Sequence, residues 1–90
     1  MYRSPFLNSI AEFMLVRRYN KRTIKSYIAW IKVFINFNDQ HHPEEMGVRE
    51  IDAFLTHLAV NRTVSSSTQG VALNALAFLY NKLLQKSLAR

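Results

Sequence analysis

Apolar residues recur every three or four positions in four separate segments of this 90-residue chain, with few interruptions. The whole sequence holds only two glycines and two prolines. This spacing places the apolar side chains on one face of a helix, whereas all-β folds need many turns built from glycine and proline. Because a chain of this length forms one domain, the sequence predicts an all-α, compact four-helix bundle.

The first two predicted helices have clear start signals. Ser4 can cap a helix over residues 5–16, with Pro5 at its first position, and Asn20 can cap a second helix over residues 21–38. The apolar stripes consist of Phe6, Ile10, Phe13 and Met14 in the first helix, and of Ile24, Tyr27, Ile28, Ile31, Phe34 and Ile35 in the second. A further apolar side on the second helix, formed by Trp30, Val33 and Phe37, predicts a central position with neighbours on both sides.

The other two helices follow a loop over residues 39–47. The third is predicted over residues 48–60, with Val48, Ile51, Phe54, Leu55 and Leu58 facing inward. The fourth is predicted over residues 66–86, and Ser66 with Gln69 fits a capping box at its start. Its expected core stripe consists of Leu73, Leu76, Ala77, Tyr80, Leu83 and Leu84.

Positive charge is concentrated in the first part of the chain. The formal net charge is +6, and residues 1–38 hold seven basic side chains against one acid, Glu12. The polar sector of the second helix carries Lys21, Arg22, Lys25, Ala29, Lys32 and Asn36, with no acid among them. Solvated helix faces usually mix both signs, so this sector favours phosphate contact at a helix start that already attracts anions. The alternative is ordinary solvated charge.

The start of the fourth helix is rich in hydroxyl groups, from Ser65 to Thr68. Capping explains part of this pattern, and contact with phosphates or bases remains open. Small side chains at Ser67, Gly70 and Asn74 share one side of the helix, where the backbone could approach a partner closely.

Other kinds of site have little support. The chain has no cysteine, which excludes disulfides and cysteine-based zinc sites and fits a reducing cytoplasm. His41 and His42 form no recognisable metal motif, His57 is predicted on the exposed side of its helix, and we expect no metal, cofactor or small-molecule ligand. Tyr27 and Tyr80 lie on core stripes, so packing with a satisfied hydroxyl is expected. No apolar run is long enough to span a bilayer, and we expect no membrane partner.

The order of these motifs resembles the N-terminal core-binding (SAM-like) domain of tyrosine recombinases, the phage integrase family. In that family the second helix opens with a hydroxyl residue followed four positions later by tyrosine, as in Thr23 and Tyr27, and then by apolar positions such as Ile31 and Phe34. The fourth helix begins with a Ser/Thr-rich turn and continues into an Ala/Leu-rich stripe, as in residues 66–80. Segments 54–60 and 67–76 are most similar to integron integrases.

The resemblance implies a module that forms one half of a clamp around duplex DNA during integration and recombination. Its second and fourth helices would face the DNA, and its first helix would touch other recombinase protomers in a synaptic complex. Residues 1–86 would be the core-binding domain and residues 87–90 the start of a linker to an absent catalytic domain, in a bacterial, nucleoid-associated cytoplasmic protein. The expected DNA-binding residues are Arg18, Lys21, Arg22, Thr23, Lys25, Lys32, Ser66, Ser67, Thr68, Gln69, Gly70 and Asn74.

The chain departs from the family pattern in its catalytic residues. Cleavage in that family needs two arginines, a lysine, a His-x-x-Arg motif and a nucleophilic tyrosine. Here His41, His42 and His57 are followed three positions later by Glu44, Glu45 and Val60. The expectation is therefore a non-enzymatic fragment that binds DNA without cutting it. The alternative is a helical protein–protein interaction domain.

Overall fold

The structure is a computed structural model that describes residues 4–85. In that range the chain forms α1 (Pro5–Val16), α2 (Lys21–Phe37), α3 (Val48–Val60) and α4 (Ser66–Phe78), with a 3-10 turn at Pro43–Glu45 and a π-helical turn at Leu79–Leu83. Between residues 4 and 85 there is no strand. The predicted all-α four-helix architecture is confirmed. The expected linker at 87–90 and the predicted helix end at Lys86 lie outside the described residues.

Side-chain caps fix the starts of the helices. The Ser4 hydroxyl accepts a hydrogen bond from the Leu7 N–H at 3.3 Å, and the Asn20 side chain accepts one from the Arg22 N–H at 2.7 Å, as predicted. The capping box expected at Ser66 is wrong by one residue. The cap is Ser65, whose extended backbone lets its hydroxyl accept from the Thr68 N–H at 3.2 Å.

Helix α2 is central, because it packs against α1, α3 and α4. Four members of its predicted stripe are buried: Ile24, Ile28, Ile31 and Phe34. The second apolar side is only partly covered. Trp30 packs edge-on against Phe54 of α3, but Val33 and Phe37 each remain 38% exposed. The predicted central position of α2, with neighbours on both apolar sides, is confirmed, and the outer edge of α2 stays partly exposed.

The predicted core stripe of the fourth helix is confirmed at Leu76 and Tyr80 and wrong at Leu73. Leu73, predicted in the core, is 44% exposed, whereas Ala72, Ala75 and Leu76 are completely buried. The helix is apolar on several sides, so its periodicity does not identify the buried face. Buried alanines let the backbone of α4 approach α2 and α3, which both pack against it.

The end of the fourth helix departs from regular α-geometry. The Leu84 N–H bonds to the Leu79 carbonyl at 2.9 Å, five residues back, which defines the π-helical turn. The predicted uninterrupted α-helix is therefore wrong beyond Phe78. Within the turn, Tyr80 is completely buried and its hydroxyl donates to the Pro43 carbonyl at 2.7 Å. The prediction of a packed Tyr80 with a satisfied hydroxyl is confirmed.

Four further aromatic contacts fix connections between helices. Phe78 is surrounded by Phe13, Tyr19 and Tyr27, with ring centroids 5.9, 5.6 and 5.7 Å away, so the α1–α2 connection is held against α4. His57 is half-buried and lies 4.9 Å from the Phe37 ring. The prediction of an exposed His57 is wrong, because the exposed edge of α2 packs over it.

Candidate nucleic-acid interface

The basic residues of α2 are free of the core. Lys21, Arg22, Lys25 and Lys32 are all exposed, in agreement with their placement in the polar sector. Three of them occupy the first turns of the helix, where backbone N–H groups and the helix dipole favour anions. The Arg22 N–H is already bonded to the Asn20 cap, so this donor is not available to an anion.

The two arginines that precede α2 differ in their surroundings. The Arg17 guanidinium lies 3.5 Å above the centre of the Phe13 ring and donates to the Phe13 carbonyl at 3.3 Å. It therefore shields the aromatic cluster from water and is partly committed to the fold. Arg18 is exposed and has a left-handed backbone (φ 63°) where the chain turns from α1 into α2. Arg18 is thus the better placed of the two to meet an external anion.

The three lysines of α2 share one flank. At about 100° per residue, Lys21, Lys25 and Lys32 point within about 40° of one another. Together with the apolar side chains of α1 they line a groove of about 1270 Å³, which we call the α1–α2 groove. Arg22 lies outside this groove, nearer the middle of the exposed face of α2.

The opposite flank of α2 faces α4. Tyr27 points about 160° away from Lys25 around the helix, and with Tyr19 it borders a shallow depression of about 270 Å³. Asn74 and Asn81 contribute amide groups to the same depression. Of the residues predicted on α4, Asn74 is therefore the one that the structure brings directly beside α2.

The remaining predicted residues of α4 cluster at its start. Ser66 and Ser67 are exposed, while Thr68, Gln69 and Gly70 are half-buried. The Ser65 hydroxyl, which caps the helix, also bonds the Thr68 hydroxyl at 3.0 Å. A Cβ atom built on Gly70 would meet no atom within 4 Å, so packing within the domain does not require a glycine there.

Side chains on the exposed face of α2 lie between its three lysines and Asn74 of α4. Passing around the helix from the lysines, the order is Arg22, Ser26, Thr23 and then Tyr27, beside which Asn74 lies. The lysines and Asn74 do not lie side by side, because the whole exposed face of α2 separates them. We define the α2 strip as Arg22, Ser26, Thr23, Tyr27 and Asn74.

Two residues of this region are not among the predicted DNA-binding residues. Tyr19 and Asn81 border the depression beside Asn74. Tyr19 directly precedes the Asn20 cap, a position where an apolar residue commonly packs against the first turns of the helix, and that signal was available. Asn81 lies in the π-helical turn, and α-helical spacing already predicts it on the same polar side of the fourth helix as Asn74.

The described part of the chain holds neither a metal-binding cluster nor a membrane-spanning helix. Residues 4–85 contain no group of three or more histidine and acidic side chains arranged to hold a metal ion. Within the same residues, every helix is too short or too polar to cross a bilayer.

Comparison with known proteins places these features in a family. Residues 6–90 match the family described as phage integrase, N-terminal SAM-like domain. Two proteins named "Integrase/recombinase", from Escherichia coli and Pseudomonas aeruginosa, are each 41% identical to this chain over 78 residues. Those alignments cover 87% of this chain and 23% of each relative, so the chain spans less than a quarter of their length.

Proposed function

This chain belongs to the phage integrase family through its N-terminal SAM-like domain, and from that premise we propose that it is the DNA-binding module of a site-specific tyrosine recombinase. The observation that carries the proposal is the exposed start of α2, where Lys21, Arg22 and Lys25 lie at a helix N-terminus without an acidic neighbour on that sector. Such an arrangement suits the phosphate backbone, which dominates the affinity of most DNA-binding proteins.

The proposed contact surface is the α2 strip, with Arg18 and the start of α4 at its edges. Arg22 and the helix dipole attract phosphates, while the hydroxyl groups of Thr23 and Ser26 and the amide of Asn74 can donate hydrogen bonds to them. The lysines of the α1–α2 groove add longer-range attraction on one side. Ser66, Ser67, Thr68, Gln69 and Gly70 extend the surface along α4.

At a finer level, we propose an integron integrase-like parent protein that acts in the bacterial cytoplasm on nucleoid DNA. This domain would form one side of a clamp around the duplex, and α1 would meet neighbouring protomers in the synaptic complex. Strand cleavage would be carried out by residues outside this chain, since its three histidines lack the His-x-x-Arg spacing. The sequence similarity to integron integrases and the placement of α2 support this proposal.

Salt-dependent DNA binding is the direct test. The 90-residue protein is titrated against a labelled 25-base-pair duplex by fluorescence anisotropy at several salt concentrations. Neutralising four or five phosphates should give a slope of about −4 for log K against log salt. Binding that does not change with salt concentration would refute a phosphate-contacting surface.

Charge removal locates the surface. Lys21→Ala, Arg22→Ala and Lys25→Ala should each weaken DNA binding, and stability should change by no more than about 0.5 kcal/mol because all three side chains are exposed. Arg49→Ala is the matched control, since Arg49 is exposed but lies at the start of α3. Equal losses of affinity in Arg49→Ala and Arg22→Ala would show that binding depends only on net charge.

A bulky side chain on α4 tests close approach of the helix. Gly70→Leu should fold normally, because the space around Gly70 is open. If DNA lies against this side of α4, the variant binds more weakly although its melting temperature is equal or higher. Unchanged affinity would remove Gly70 from the proposed surface.

A further inference from the structure

The α1–α2 groove has an apolar floor. Leu7 and Ala11 of α1 and Ile24 and Ile28 of α2 line it, and all four are buried members of the core. Leu15 lines the same groove and leaves 41% of its surface exposed. Leu15 therefore presents apolar surface in the groove that residues 4–85 leave uncovered.

The two walls of the groove differ in charge. The described part of the α1 wall consists of Leu7, Ala11 and Leu15 at four-residue spacing, of which Leu15 is exposed, and it holds no charged side chain. The α2 wall carries exposed Lys21, Lys25 and Lys32. Lysine stems extend an apolar wall while their ammonium groups remain in water. A ligand that fills this groove must therefore be apolar on one side and anionic along one edge.

The dimensions suit a helix. From Lys21 to Lys32 the groove extends about 16 Å along α2, at 1.5 Å per residue, which is about three helical turns. We propose that the α1–α2 groove binds an acidic amphipathic helix of a partner protein. Its apolar stripe lies against Leu15 and the groove floor, and carboxylates along one edge face the three lysines. This inference does not depend on DNA binding.

Duplex DNA accounts for only half of these features. A phosphate backbone matches the lysines but has no apolar surface with which to cover Leu15. An amphipathic helix supplies carboxylates for the lysines and an apolar stripe for Leu15. Helix-in-groove binding is a common mode of peptide recognition. Arg22, which lies outside the groove, has no role in this contact.

A designed peptide tests the specificity of the groove. The probe is a fluorescein-labelled 15-residue helix with leucines at positions i, i+4, i+7 and i+11 and three glutamates along one edge, titrated with the 90-residue protein by anisotropy. One control peptide has glutamines in place of the glutamates, and another carries the glutamates opposite the leucine stripe. Both controls should bind at least about tenfold more weakly, because charge and apolar contact must be engaged together. Equal binding of all three peptides would overturn the proposal.

Two uncharged substitutions separate this site from the DNA surface. Leu15→Gln and Leu15→Ser each remove exposed apolar surface from the α1 wall, outside the polar sector of α2. Each should weaken peptide binding at least about tenfold while DNA affinity stays within about twofold. Arg22→Ala should weaken DNA binding and leave peptide affinity within about twofold. Circular dichroism confirms that each variant remains folded.

Several results would overturn the inference. Unchanged peptide affinity in both Leu15 variants would place the peptide elsewhere. Loss of DNA binding in Leu15→Gln, with no peptide binding in the native protein, would assign the groove to DNA. A native dimer that dissociates in Leu15→Gln would assign it to self-association. Failure of DNA binding alone, with the expected peptide results, would refute the DNA-binding proposal and leave this one standing.

Discussion

Removing the Tyr80 hydroxyl should lower stability by a modest amount at neutral pH. Tyr80 is completely buried, and its hydroxyl donates to the Pro43 carbonyl at 2.7 Å. That carbonyl also accepts from the Met46 N–H at 3.0 Å, so Tyr80→Phe does not leave it without a hydrogen bond. We therefore expect a loss of about 1 kcal/mol in the free energy of unfolding. For a domain of this size that loss corresponds to about 4–8 °C in melting temperature.

The same substitution should behave differently at alkaline pH. Burial, and then the charge of Glu50, raises the pKa of Tyr80 from 10.0 to about 12. Between those values the unfolded chain loses the phenol proton while the folded protein keeps it. The contribution of the protonated Tyr80 hydroxyl to the free energy of unfolding is therefore complete below pH 10, and it is lost as the pH rises towards 12. At pH 11 the native protein has lost about 1.4 kcal/mol of its free energy of unfolding in this way. That loss offsets the contribution of the hydrogen bond from Tyr80 to Pro43.

Urea denaturation followed by circular dichroism measures both effects. The native protein should be more stable than Tyr80→Phe at pH 7, and the difference should vanish or reverse at pH 11. Tyr27→Phe serves as the control, because it removes the same hydroxyl oxygen from a side chain that is only half-buried. A stability difference between the native protein and Tyr80→Phe that is the same at both pH values would refute the reasoning.

Four further substitutions test the cap and the packing of α4. Ser65→Ala should cost about 1 kcal/mol and Ser66→Ala less than about 0.5 kcal/mol in urea denaturation, and the opposite order would place the cap at Ser66. Gly70→Ala should raise stability by about 1 kcal/mol, because its Cβ enters open space; a lower melting temperature would contradict this. Phe78→Ala should cost about 3–5 kcal/mol, because it removes the ring that Phe13, Tyr19 and Tyr27 surround. A melting temperature close to the native value would show that this cluster contributes little.

The local structure of the chain was largely determined by its sequence. Helices α1 and α3 begin and end at the predicted residues, and α2 ends one residue early. Caps at Ser4 and Asn20 formed as expected, because a cap depends only on neighbouring backbone groups. The exposure of Lys21 was also predictable, since a charged group cannot enter the core without a partner.

Choices among equivalent residues needed the tertiary structure. Three serines in succession offer three possible caps, and the direction in which the chain leaves α3 selects Ser65. Leu73 and Leu76 are equally apolar, but only the side of α4 that meets α2 and α3 is buried, so Leu73 remains in water. The π-helical turn arises where Phe78, Leu79 and Tyr80 are all enclosed by other elements.

The arrangement of the candidate site was likewise decided by packing. Sequence spacing placed Lys21, Lys25 and Lys32 on one sector of α2, but it could not show that α1 lies beside that sector. Nor could it show that Asn74 borders the other flank, next to Tyr27. Helical periodicity depends on bonds between near neighbours in the chain, so the sequence determines which side chains share a face. Which helix that face meets depends on contacts between distant segments, and only the folded structure determines those.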